Sequence, residues 1–203
     1  MNKRDSAILN DLQRHRVMSR DDIVSLHFNN LKDPIKACNN VLKRMRRDGY
    51  IEAKLDHQPY LYFLSPSPIK KDSQKIPHFL AIVDFYKQAS KLRKPKQFIV
   101  EPKYGKGYME PDVFMNWNDS PFFVEIQRTL YSEKVMNEKI NRYENYYRSG
   151  LWKEESWQPK DKKVFPFIIL ISDTRYSIDS NLKVFQAPSL NDFISTLHDR
   201  KSG

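Results

Sequence analysis

Apolar residues recur along the first third of the chain at helical and then at strand spacing. Within residues 4–16, Ile8, Leu9 and Leu12 fall on one side among charged residues and predict a first surface helix. Ser19, with Asp22 three residues on, makes a capping-box-like start for a short second helix through Ile23, Val24 and Leu26, which ends near Phe28 and Asn29. Asp33 then caps, and Pro34 takes a first helical position where its missing N–H costs little. A third helix therefore runs to about residue 47, with Gly49 as its stop. Its expected buried stripe is Ile35, Cys38, Val41, Leu42 and Met45. Residues 50–55 and 60–64 alternate as two strands, joined by Asp56, His57, Gln58 and Pro59.

The alternating serines and prolines of 65–68 and the polar run 70–75 break this order and read as a linker. Pro77 opens a helix with Phe79, Leu80, Val83 and Tyr86 on one face, terminated by Pro95. Residues 97–101 form a short apolar strand, and Gly105 and Gly107 a flexible turn. Val113, Met115 and Trp117 alternate with Phe114 and Asn116, and Pro121 leads into Phe122, Phe123, Val124 and Ile126. Residues 110–128 thus read as a hairpin turning at 116–120. Ser132 caps a long helix to about residue 148, with Met136, Ile140, Tyr143 and Tyr147 on its buried side. The wholly apolar run 165–171 suits a strand covered on both faces, and 182–185 suits another. Ser189 and Asp192 cap a terminal helix carrying Leu190, Phe193, Ile194 and Leu197. The expected class is mixed α/β (α+β), with domains at 1–65 and 76–203 and a linker at 66–75.

Composition narrows the setting. The single cysteine, Cys38, lies on a helical stripe and excludes both a disulfide framework and a thiolate metal cluster. A reducing cytoplasm is the simplest expectation. No run approaches the roughly 20 apolar residues of a membrane-spanning helix, and nothing resembles a leading signal peptide. The net charge of +10 is uneven: residues 1–106 carry 22 Lys and Arg against 11 Asp and Glu, and residues 107–203 carry 13 against 14. The basic half is the expected polyanion contact, because cations that neutralise phosphates release counterions whatever the base sequence.

That charge concentrates on the third helix. Opposite its apolar stripe lie Lys36, Asn39, Asn40, Lys43 and Arg47, flanked by Arg44 and Arg46, a mixture of amides and cations suited to base edges and phosphates. Three short helices followed by a hairpin resemble a winged helix-turn-helix domain over roughly the first third of the chain. The resemblance implies double-stranded DNA binding, with the third helix as recognition helix and His57 at the tip of the wing. Some winged-helix domains contact protein instead, and that alternative stays open here.

The second half carries a different chemistry. Asp112 opens one strand of the 110–128 hairpin, and Glu125 sits in the middle of the apolar run of the next. A carboxylate so placed needs a metal, a cation or an open cleft to offset its burial. Pro111-Asp112, followed by Glu125-Ile126-Gln127 within this element order, resembles the PD-(D/E)xK nuclease superfamily. The resemblance implies Asp112 and Glu125 as ligands of Mg²⁺ or Mn²⁺, which polarises a phosphate and lowers the pKa of bound water. It also implies a catalytic role for the residue at 127, which here is Gln where lysine is usual. Lys139 on the following helix can substitute, with Tyr143 one turn further on orienting the phosphate. Asp84 and Glu101 are possible extra ligands, a solvated Asp84 and a structurally paired Glu101 being the alternatives.

The N-terminal winged helix, this hairpin, the stretch FFVEIQRT, Lys139 and the stretch RYENYY together resemble the replication-relaxation family of Gram-positive plasmids, phages and integrative elements. Membership implies assistance to replication or relaxation of mobile-element DNA. Two readings follow. One is a double-stranded DNA-binding accessory factor with a degenerate nuclease core, which serves for dimerisation, for extra DNA contact or to recruit replication or relaxation proteins. The other is a magnesium-dependent endonuclease or nickase.

Overall fold

The structure, a computed structural model, describes residues 1–199, and their side chains through residue 196. Among the described residues it has six α-helices and eight strands in two sheets, a mixed α/β architecture. The chain divides into two compact units, Met1–Lys87 and a second that begins at Gln88. The first thus extends through the proline-rich stretch and takes in most of a following helix. Among the described residues no helix is long and apolar enough to cross a membrane.

In the first unit α1 (Lys3–His15) is capped by Asn2, whose side chain accepts from the Asp5 N–H at 2.9 Å. A two-residue strand β1 (Met18–Ser19) leads into α2 (Arg20–His27), where Ser19 and Asp22 complete the reciprocal capping box. Asp33 and Pro34 start α3 (Pro34–Arg47) as their chemistry predicts. The helix stops where Gly49 adopts φ 78°, a left-handed conformation that lets the Tyr50 N–H reach back to the Met45 carbonyl. Strands β2 (Ile51–Lys54) and β3 (Leu61–Leu64) form the hairpin, and β1 adds to its far side, giving the antiparallel order β1-β3-β2. Two residues are too few to show alternation, so β1 escaped the sequence pattern.

Cys38, Leu42 and Met45 of α3 join Ile8, Leu12 and Ile23 in one core. Two positions of the expected stripe depart from it: Val41 is only partly buried, and Ile35, in the first turn, lies outside the cluster and is 48% exposed. Helix α4 (Ile76–Leu92) buries Phe79, Val83 and Tyr86 of its expected face but Leu80 only partly, and it also buries Ile82, Phe85 and Ala89, a wider apolar sector than the pattern assigned.

The second unit holds a five-stranded sheet in the order β4-β5-β6-β7-β8: β4 (Gln97–Val100), β5 (Val113–Trp117), β6 (Ser120–Ile126), β7 (Phe167–Ile171) and β8 (Val184–Ala187). The pairs β4-β5 and β5-β6 are antiparallel, and β6-β7 and β7-β8 are parallel. The β5-β6 turn is tighter than read, with only Asn118 and Asp119 between paired Trp117 and Ser120, both at positive φ. This suits a two-residue hairpin whose twist matches its strands. The apolar run at 165–171 becomes β7, central in the sheet, while β8 starts two residues later than its pattern suggested.

Helix α5 (Glu133–Ser149), capped by Ser132, crosses between the parallel strands β6 and β7 and covers one face of the sheet. Ile140, Tyr143 and Tyr146 meet Phe114, Phe123 and Ile168 there. Tyr146 is the buried ring near the helix end, and Tyr147, read as buried, is 47% exposed. The straight helix turns about 100° per residue, so a stripe drawn through 136, 140 and 143 reaches 146 at a spacing of three and 147 at four; packing chose the former. The opposite face carries Phe122, Phe167 and Phe185 against Phe193 of α6 (Leu190–Asp199). The side chain of Leu197, and residues 200–203 of the expected second domain, lie outside the described residues.

Candidate functional site

On α3 the residues opposite the core stand in solvent. Lys36, Asn39, Asn40, Lys43, Arg46 and Arg47 are all exposed, while Cys38, Leu42 and Met45 are buried. Arg47 remains exposed while its Nε donates to the neighbouring Asp48 at 2.9 Å. Arg44 differs from the rest: its guanidinium donates to Asp5 of α1 at 2.6 Å, tying the two helices together. In the β2-β3 turn, the His57 Nδ1 lies 2.8 Å from the Pro59 carbonyl, so that ring nitrogen is taken up inside the turn. The third helix therefore offers four uncommitted or surface-paired cations and two amides on one face. Such a face can neutralise phosphates and bond to base edges.

In the second unit the pairing of Val113 with Val124 is the last of the β5-β6 ladder, and one step further sets Asp112 opposite Glu125. The Asp112 Oδ2 accepts from the Ile126 N–H at 2.6 Å, which fixes the aspartate at the end of the strand pair. Alternation along β6 turns Phe122, Val124 and Ile126 to one face and Phe123 and Glu125 to the face under α5. Glu125 is fully enclosed there, at 1% exposure.

Both carboxylate oxygens of Glu125 have partners from α5. The Tyr143 hydroxyl donates to Oε1 at 2.5 Å, and the Lys139 ammonium lies 2.7 Å from Oε2. Lys139 and Tyr143 are four residues apart, one turn on a helix face, which is why both reach one carboxylate. Burial pushes the Glu125 carboxyl up to about 7 against the attraction of Lys139, with the Asp112 charge adding to the rise. For Lys139 burial opposes the charge, but Glu125 and Asp112 outweigh it and hold the ammonium above the ordinary lysine value. The two directions are compatible because the lysine side chain keeps 21% of its surface and the glutamate only 2%, so desolvation falls mainly on the acid. Burial, reinforced by Glu125, also raises the Tyr143 hydroxyl well above the usual tyrosine value.

These contacts bear on a divalent ion. Magnesium and manganese need several oxygen donors in near-octahedral array. Glu125 has both oxygens engaged and Asp112 has one held by a backbone amide. Among the described residues no group of three or more His, Cys, Asp or Glu side chains is arranged to hold a metal ion. In this arrangement the Lys139 ammonium is the counter-ion that Glu125 meets.

Of the sequence candidates, Asp112, Glu125, Lys139 and Tyr143 converge. Gln127 follows the end of β6, and its side-chain amide donates to the Thr129 carbonyl at 2.5 Å. Glu101 donates its N–H to the Asp112 carbonyl at 2.8 Å, from a left-handed φ of 47°. Asp84 belongs to the first unit, where it pairs with Lys87 at 3.3 Å. A second group of buried polar residues went unread. His15 has no exposed surface, and His27 Nε2 lies 3.0 Å from Asp11. Their only trace in the sequence is a spacing of four between Asp11 and His15.

No curated protein and no solved structure matches the chain. The family model described as replication-relaxation matches residues 9–159, which runs from the second half of α1 past the short 3₁₀ turn Leu151–Glu154 and includes both the basic helix and the buried ion pair. The chain belongs to the replication-relaxation family.

Proposed function

We propose that the protein is a double-stranded DNA-binding accessory factor in the replication, relaxation or regulation of a plasmid, phage or other mobile element. The carrying observation is the solvent-facing row of Lys36, Asn39, Asn40, Lys43, Arg46 and Arg47 on α3, directly preceding the β2-β3 hairpin. In this reading residues 1–65 act as a winged helix-turn-helix: α3 enters the major groove, and the hairpin with His57 lies along the adjacent backbone. Family membership supports a role in mobile-element DNA, which in a cell is reached in the cytoplasm.

The second unit is, in the same reading, a PD-(D/E)xK-derived core that has exchanged metal chemistry for a fixed ion pair. Asp112 and Glu125 correspond to the metal ligands of that superfamily, and the Lys139 ammonium supplies the positive charge at Glu125. Such a core serves assembly: pairing with a second copy, or recruiting a replication or relaxation protein. Partner choice rests on family membership and not on a surface.

The experiment is duplex binding by gel shift across a salt series, with wild type and the Lys43→Ala/Arg47→Ala variant. The variant is expected to bind at least tenfold more weakly with a shallower salt dependence; equal binding ends the DNA-reading assignment. Incubation with supercoiled plasmid and Mg²⁺ or Mn²⁺ addresses the catalytic alternative. Nicking by wild type that Asp112→Ala abolishes would replace the binding-factor reading with that of an endonuclease.

A further inference from the structure

We propose that the second unit has its own contact for single-stranded DNA, a cleft at the C-terminal end of α5 in which an unstacked base lies on Tyr147 with its phosphates against Arg148 and Lys183. The cleft has a volume of about 340 Å³, at the lower end of the roughly 300–1,000 Å³ range of small-ligand sites and ample for one base. It is independent of α3 and of the Glu125 pair.

Its walls are aromatic and its rim is cationic. The Tyr147 ring is nearly half exposed, and its other side lies parallel to Trp152, centroids 5.8 Å apart and planes at 11°. Phe165 meets both rings edge-on, at 5.1 and 5.5 Å. Phe167 borders the cleft at the start of β7, its ring turned toward Phe122 and Phe185, and the exposed Lys183 ammonium lies 5.7 Å from that ring. Arg148 is exposed beside Tyr147, and the exposed lysines 160, 162 and 163 lead directly into the segment that carries Phe165. An exposed tyrosine already stacked on a tryptophan, bordered by an arginine and lysines, has the chemistry that holds bases without reading their sequence.

The cleft is also held open before any ligand arrives. Buried Glu144 accepts from the Ser180 hydroxyl at 2.7 Å and the Asn181 N–H at 3.2 Å through one oxygen, and from Arg148 at 2.5 Å through the other. On the other side the Gln158 amide donates to the Trp152 and Val164 carbonyls and accepts from the Val164 N–H. These bonds fix the segments bearing Trp152, Phe165 and Lys183, which lowers the ordering cost of binding. A peptide would find the same rings, but the lysines and arginine of the rim favour a polyanion.

The test is fluorescence anisotropy of the full chain at low salt with two labelled probes of about 12 nucleotides, within the usual single-strand site range: oligothymidylate and the same backbone with abasic sites. Wild type is expected to bind oligothymidylate about tenfold more tightly than the abasic strand, the difference that stacking of one base supplies. Tyr147→Ala, and Tyr147→Leu as the variant that keeps apolar packing on Trp152, should bind both strands alike. Tyr147→Phe should retain the difference, and Lys183→Ala should weaken both strands in parallel. Lys43→Ala/Arg47→Ala should retain the base-dependent difference, which separates this site from duplex reading by α3. Equal affinity of wild type for the two strands, absence of binding to oligothymidylate, or an undiminished difference in both Tyr147→Ala and Tyr147→Leu overturns the proposal.

Discussion

In the first unit the cations of α3 point into solvent, while in the second the central cation, Lys139, is turned inward onto an enclosed carboxylate. The same residue type is used in two ways. An exposed Lys43 costs the fold little and stays available to a polyanion, whereas Lys139 exists to make Glu125 tolerable. The buried titratable groups of the two units differ as well. His15 in the first is pushed by burial down to about 4, and Glu125 in the second is pushed by burial up to about 7. Burial favours the uncharged form of each, with opposite consequences for stability against pH.

The most severe way to break this comparison is to remove Lys139. Lys139→Ala leaves Glu125 buried without its counter-charge and is expected to cost on the order of 3 kcal/mol at about pH 9, where the wild-type carboxylate is ionised. All three tryptophans, Trp117, Trp152 and Trp157, lie in the second unit, so urea unfolding followed by their fluorescence reads the effect there. Lys139→Met combined with Glu125→Gln should recover most of it. A loss under 1 kcal/mol for Lys139→Ala at that pH would mean that the carboxylate is reached by water.

Next in size is the pH response. Glu125 has a folded value near 7, above the ordinary glutamate value of 4.5, so between those limits the folded chain holds a proton that the unfolded chain has released. Its contribution is greatest below about 4.5 and is lost as pH rises to about 7, a change on the order of 2–3 kcal/mol. The difference in unfolding free energy between wild type and Glu125→Gln should therefore slope across that window and flatten above it; a flat difference throughout refutes the burial argument. For His15 the sign reverses. Its folded value near 4 lies below the ordinary 6.5, so the unfolded chain binds the extra proton and stability falls as pH drops from about 6.5 to 4. His15→Gln should remove on the order of 2 kcal/mol of that acid sensitivity in circular-dichroism melts.

The smallest effect on stability, and the sharpest on binding, belongs to α3. Lys43→Ala with Arg47→Ala should shift the urea midpoint by no more than about 0.5 kcal/mol equivalent, as expected of exposed positions. The same variant should lower the salt slope of duplex binding by up to about 2. A large loss of stability would show that these side chains support the fold.

How legible each region was follows from how local its causes are. The bounds of helix α3 could be read directly, because Asp33, Pro34 and Gly49 act through backbone chemistry at their own positions. The Lys139-Tyr143 spacing was equally local, and it brought both side chains to Glu125 as their positions on one helix face suggested. What was hidden depends on distant partners. Strand β1 exists only because β3 passes beside it, Tyr146 rather than Tyr147 is buried because of the aromatic cluster of the sheet, and His15 is enclosed by packing that no short window contains. Gln127 shows the limit of alternation: its N–H still bonds to Ile171 of β7, but its side-chain amide is taken by the Thr129 carbonyl two residues on, a contact that strand periodicity does not encode.

The counter-ion of Glu125 is joined to the chain by four methylene groups. No chelator can strip it and no shortage of metal in the surroundings can empty it; what alters the charge at this place in the sheet is pH, through the proton on Glu125. A nuclease core that depends on a dissociable ion has no such independence.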